Sequence, residues 1–111
     1  MDDSSGERFL EHVVALVEKH LGEVGFGVET LAEMLRMSRS SLYLKLKAVS
    51  GQNPQDFIRL RRLQRAARLL NNTDGKVSAI AAQVGWLEHT HFDRAFKAHF
   101  GLSPTEYRKN L

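Results

Sequence analysis

The chain contains one structural unit twice. Val28, Leu31, Ala32 and Leu35 return 49 residues later as Val77, Ile80, Ala81 and Val84. Past a short turn the offset becomes 50: Leu42 and Leu46 return as Phe92 and Phe96, Lys47-Ala48 as Lys97-Ala98, Gly51 as Gly101, Pro54 as Pro104 and Phe57 as Tyr107. Two copies at so long a period describe a duplicated unit and not a solenoid. Any fold must therefore build the same local pattern twice and absorb one inserted residue in the second turn.

The pattern inside each copy is helical. Val28, Leu31, Ala32 and Leu35 fall at i, i+3, i+4 and i+7, one face of a short helix. Met37-Ser38 reads as a turn feeding an N-cap, since a serine hydroxyl can accept from an orphan N–H of the next helix. That helix turns Leu42, Leu46 and Val49 inward and stops at Gly51, a C-cap residue type. Pro54 opens a longer helix with Phe57, Leu60, Leu63, Ala67 and Leu70 inward, and Asn71 to Gly75 form a loop. Ahead of the first copy, Leu10, Val13, Val14, Val17 and Leu21 form the stripe of another amphipathic helix, broken by Gly22, Gly25 and Gly27. No stretch alternates with period two, so the expected class is all-α. The expected organisation is a disordered or flexible N-terminus over residues 1–8 and one domain over 9–111. Within it a first helix-turn-helix covers about 28–50, a linker helix about 54–71 and a second helix-turn-helix about 76–100.

Composition narrows the function. The 111 residues suit one compact domain, and 42% hydrophobic content supports a core. The absence of cysteine excludes a disulfide scaffold, zinc ribbons and thiol catalysis. No apolar run approaches the roughly 18 residues that cross a bilayer, and the acidic, polar start is the wrong chemistry for a signal peptide. The expected setting is cytoplasmic, with no membrane contact from this segment. The net charge of +3 hides an asymmetry: residues 1–36 carry eight acids against three bases, and residues 37–111 thirteen bases against five acids. A basic back portion suits either a polyanion partner or a solvated mixture of charges.

Two helices joined by a tight turn, the second polar on its outer face, describe a helix-turn-helix. A helix about 10–12 Å across fits a B-DNA major groove about 12 Å wide. The first helix and the core hold the second at the required angle, and its outer face meets base edges. In the first copy that face includes Arg39, Ser40, Tyr43, Leu44, Lys45 and Lys47; in the second it includes His89, Thr90, Asp93, Arg94 and Lys97. Arg94 can fork onto a guanine or sit in a surface ion pair. Tyr43 can meet a sugar or a thymine methyl, or lie half-buried. His89 and His91 are two residues apart and point to different faces, so no metal site or cofactor is expected. No nucleophile–base pair or phosphate loop is present, and the chain does not read as an enzyme.

Residues 28–110 resemble the C-terminal DNA-binding domain of AraC/XylS-type bacterial transcription regulators. The carrying motifs are Leu31-Ala32, Ser38-Arg39-Ser40-Ser41-Leu42, Gly51, Pro54 and Arg62-Leu63, then Ile80-Ala81, Val84-Gly85-Trp86, Phe92, Arg94, Phe96-Lys97, Gly101, Ser103-Pro104 and Tyr107-Arg108. The front segment and the string Ser38 to Tyr43 look most like the output domain of hybrid two-component sensor-regulators. The resemblance implies seven helices and two homeodomain-like helix-turn-helix subdomains on a connecting helix. It implies sequence-specific binding of double-stranded DNA, with recognition helices in two successive major grooves. By position, Ser40, Tyr43, Leu44, His89, Thr90, Asp93 and Arg94 are the expected base contacts, and Arg39, Lys45, Lys47, Lys76 and Lys97 the expected phosphate contacts. Leu44 stands where the family usually has Arg, Trp86 where it has Phe, and Leu87-Glu88 where it has small polar caps. Expected partners are RNA polymerase and an upstream sensor or receiver domain in a longer chain, with a dimer on DNA compatible with the reading. A helical protein–protein interaction module without DNA binding is the alternative.

Overall fold

The structure, a computed structural model, describes residues 3–110; Met1, Asp2 and Leu111 lie outside them. Among the described residues there are seven α-helices and no strand: α1 (Asp3–His20), α2 (Val28–Met34), α3 (Arg39–Ser50), α4 (Pro54–Asn72), α5 (Val77–Gln83), α6 (His89–Phe100) and α7 (Pro104–Lys109). They group into two compact units, one ending at Arg61 and one starting at Arg62, so α4 begins in the first and ends in the second.

The first unit is built where the apolar stripes meet. α1 packs on both α2 and α3, and α2 packs on α3. Val13, Val17, Leu21, Leu31, Leu42 and Leu46 are all fully buried. Each such aliphatic side chain contributes about 1.5–3 kcal/mol relative to exposure. Phe26, Phe57 and Ile58 complete this core. Arg61 on α4 reaches Glu18 on α1 at 3.3 Å. α1 starts earlier than the apolar stripe indicates: residues 3–8 are already helical. Those residues supply no periodic apolar face, and the contact they make depends on a small residue. A Cβ on Gly6 would stand 3.2 Å from Val49 Cγ1, so the backbone of α1 lies directly against α3 there.

The second unit repeats the arrangement in aromatic form. Phe92 and Phe96 are fully buried at the positions corresponding to Leu42 and Leu46. Trp86 meets Phe92 edge-on at 5.5 Å, and Phe96 meets Tyr107 edge-on at 5.3 Å. Pairs of this geometry add about 0.5–1.5 kcal/mol beyond area burial. α5 and α7 both pack on α6.

The two turns are the same turn. In the first, Met37 N–H donates to Ala32 O at 2.9 Å and Arg36 N–H to Glu33 O at 3.0 Å. In the second, Trp86 N–H donates to Ala81 O at 2.9 Å and Gly85 N–H to Ala82 O at 3.0 Å. Both are Schellman closures, which need a left-handed residue just past the helix. Gly85 supplies it at φ 85°, whereas in the first unit a side-chain-bearing residue, Arg36, adopts φ 57°. The inserted residue of the second copy is therefore Leu87, between the turn and the N-cap, and it is exposed.

Candidate nucleic-acid interface

α3 is set in place at both ends. Ser38 at its N-cap accepts from Ser41 N–H at 3.0 Å. At the C-cap, Gly51 N–H donates to Lys47 O at 2.9 Å. With Leu42 and Leu46 buried and about 100° between successive residues, the outward line carries Ser40, Leu44 and Lys47, all exposed. Tyr43 flanks that line at 47% exposure, and Leu44 is 70% exposed. Ser40, Tyr43 and Leu44 border a concave surface of about 520 Å³, lined also by Val28, Arg39, Asn53, Pro54 and Gln55.

Two cations expected on phosphate are engaged within the protein. Lys45 Nζ sits 4.5 Å from the Phe9 ring centroid, on the flank of α3 that faces α1. Arg39 Nη1 lies 3.4 Å from Glu29 Oε1 on α2, with both side chains largely exposed. Such an exposed pair contributes only about 0–1 kcal/mol, so it yields readily to a polyanion. Lys47 is exposed on the outward line.

α6 presents the equivalent face with different chemistry. Phe92, Ala95 and Phe96 point inward, which leaves Thr90, Arg94 and Lys97 on the outward line, all exposed. Arg94 has no ion-pair partner among the described residues. Asp93 pairs instead with His89, Nε2 to Oδ1 at 3.6 Å, and that buried oxygen makes no hydrogen bond. Glu88 stands at the N-cap without a side-chain hydrogen bond to the helix, so the first turn of α6 lacks the cap that Ser38 gives α3. Lys76 is exposed at the start of α5. The structure thus gathers Ser40, Tyr43, Leu44 and Lys47 on one helix face and Thr90, Asp93, Arg94 and Lys97 with His89 on another, and it turns Lys45 toward α1.

Two contributors escaped sequence reasoning. Glu29 carries no local signal of a partner, and only the turn geometry brings it to Arg39. Arg108 donates three hydrogen bonds to carbonyls: Nε to Leu70 at 3.2 Å, Nη1 to Gly75 at 2.7 Å and Nη2 to Thr73 at 3.0 Å. It closes the end of α4 and the loop that leads into α5. On α4 itself, burial lowers the pKa of Arg62 below the ordinary guanidinium value. By unit, residues 1–61 carry nine acids against eight bases, and residues 62–111 four acids against eight bases. The basic excess therefore belongs to the unit that holds α6.

Residues 31–110 match the family model described as a helix-turn-helix domain. The chain is 33% identical over 107 residues to the HTH-type transcriptional activator RhaS of Escherichia fergusonii, covering 96% of this chain and 38% of that protein. It is 32% identical over 105 residues to histidine kinase P4 of Formosa agariphila, covering 95% of this chain and 8% of that one. Among solved structures, the C-terminal domain of the two-component response regulator yesN from Fusobacterium nucleatum superposes with a TM-score of 0.85 at 29% identity, over 91% of this chain and 98% of that one. The DNA-binding domain of AdpA, solved with a target DNA, superposes with a TM-score of 0.84 at 32% identity, over 91% of this chain and 90% of that one. With its duplicated helix-turn-helix, its paired Schellman turns and these relatives, the chain belongs to the AraC-type helix-turn-helix family of transcription regulators.

Proposed function

We propose that this chain is the DNA-reading output domain of a cytoplasmic transcription regulator, without catalytic activity, and that α3 and α6 each enter a major groove of a specific duplex. The observation that carries this reading is the pair of equivalent outward lines, Ser40-Leu44-Lys47 and Thr90-Arg94-Lys97, each on the second helix of a helix-turn-helix closed by the same turn bonds. Arg94, Thr90 and His89 hydrogen-bond base edges, and Asp93 accepts from an exocyclic amine. Lys47, Lys97 and Lys76 contact phosphates, joined by Arg39 once it leaves Glu29. Lys45 is committed to Phe9 and contributes least of the five. The AdpA domain with its target DNA supports this assignment, as does the recurrence of the fold in response regulators. The relatives are longer than this chain, which spans 38% of the first and 8% of the second. An upstream sensor or receiver, RNA polymerase and a second copy on DNA are the protein partners that reading assigns.

The test is a selection of random duplexes on the full chain, followed by a salt titration of the winning sequence. Neutralising about six phosphates makes affinity fall on the order of 10³-fold between about 50 and 200 mM salt. A flat salt response, or a selection that enriches nothing, removes the proposal.

A further inference from the structure

We infer that the first unit recognises the C5-methyl group of a pyrimidine, through an apolar pad made by Leu44 with Tyr43 beside it. This rests on the duplex binding proposed above and adds the chemical class that α3 selects. Leu44 lies on the outward line of α3 with 70% of its surface exposed, and Tyr43 on the same helix is 47% exposed. Neither belongs to the core, which Leu42 and Leu46 form from the opposite face. Both border the concave surface of about 520 Å³, with Val28 on its wall.

Asn53 and Gln55 line the same concave surface, but neither lies on α3. Ser40 offers one hydroxyl, and Arg39 is paired with Glu29. Leu44 itself, at the position that Arg94 holds in the second unit, offers no fork to a guanine or an adenine. The major-groove edge of a base pair has one apolar feature, the C5-methyl of thymine. 5-Methylcytosine presents the same methyl at the same ring position. An apolar pad responds to the methyl and is indifferent to the exocyclic group beside it. Covering one methyl contributes about a four-fold gain in affinity.

The experiment starts from the duplex selected by the full chain. Each thymine is replaced in turn by deoxyuridine, which deletes only the methyl, and binding is measured for the wild type and for Leu44→Ala. At one or two positions the wild type loses about four-fold, and at those positions Leu44→Ala loses nothing further. At the same positions a C·G pair is bound more tightly by a similar factor when its cytosine is 5-methylated, again only with Leu44 present. Leu44 is exposed, so Leu44→Ala keeps the wild-type melting temperature, which is checked alongside. If every deoxyuridine is tolerated, if the loss persists in Leu44→Ala, or if 5-methylation brings no gain, the pad does not read methyl groups. Tolerance together with a Leu44-dependent self-association assigns the patch to protein contact instead. A selection that enriches no sequence defeats duplex binding itself, a failure separate from tolerance of deoxyuridine on an enriched site.

Discussion

Arg36 and Arg94 show how differently two arginines in equivalent units are used. Arg36 closes the first turn at φ 57°, the position Gly85 fills in the second unit at φ 85°. A side chain in the left-handed region costs roughly 1 kcal/mol, partly offset by the greater entropy that glycine loses on folding. Arg36→Gly is therefore expected to raise stability by about 0.5 kcal/mol, read as an increase in denaturant midpoint at unchanged slope. An unchanged or lower midpoint means the turn is not strained. The sequence pattern gave the turn its place, but the need for a left-handed residue at position 36 was hidden, because arginine is no signal for it. Arg94 is used outward. Arg94→Ala is expected to cost about 1–3 kcal/mol on the preferred duplex and to relax one base pair of the motif. Lys97→Ala, in contrast, weakens specific and random duplexes alike. Equal losses on both kinds of DNA for Arg94→Ala make it a phosphate contact.

Helix ends were read less completely than helix faces. The apolar periodicities of α1 to α4 locate the buried residues well, since Val13, Val17, Leu31, Leu42, Leu46, Phe57, Leu63 and Leu70 all lie in the core. Ser38 was legible as an N-cap because a local hydroxyl pattern signals it. The capping box of α7 is as local: Glu106 N–H donates to Ser103 Oγ at 3.2 Å, and Ser103 N–H donates to Glu106 Oε1 at 2.9 Å. Those bonds hold the Glu106 carboxyl below its usual range. The early start of α1 was not legible, because residues 3–8 carry no apolar stripe and Gly6 meets Val49 only across 43 positions of sequence. Nor was the role of Arg108, whose carbonyl partners lie 33 to 38 residues away. Charged hydrogen bonds of this kind contribute about 1.5–3 kcal/mol when the acceptors would otherwise go unpaired. Here two of the three bonds are at the surface and water can replace them, so Arg108→Ala is expected to cost about 1–2 kcal/mol. Arg108→Lys should recover little, because an ammonium cannot fork onto three carbonyls. Thermal melting of the two variants checks this, and recovery by lysine reduces Arg108 to a simple charge at the helix end.

At the scale of the molecule, duplication has produced two units that share a scaffold and diverge in surface chemistry. The identical turn bonds, the glycine C-caps at Gly51 and Gly101 and the matched outward lines keep the presentation of α3 and α6 the same. The basic excess and the hydrogen-bonding side chains lie with the second unit, whereas the first offers Leu44 at the position of Arg94. The asymmetry was legible in composition, and the outward place of Leu44 was legible from the helical spacing. The structure leaves it 70% exposed. Sequence information should therefore be divided unequally: the selected motif has one strong half, relaxed at one base pair by Arg94→Ala, and one weak half. Leu44→Arg places a guanine-capable fork on the outward line of α3 without disturbing any core contact. It is expected to raise affinity several-fold, sharpen the weak half toward guanine and leave the melting temperature unchanged. The gain should shrink as salt rises, because a new cation also adds to phosphate attraction, but the change of preferred base should persist. Selection on the variant separates the two effects. A uniform gain on all duplexes with an unaltered motif means that position 44 faces the backbone of the DNA, and a drop in melting temperature means that Leu44 supports the fold.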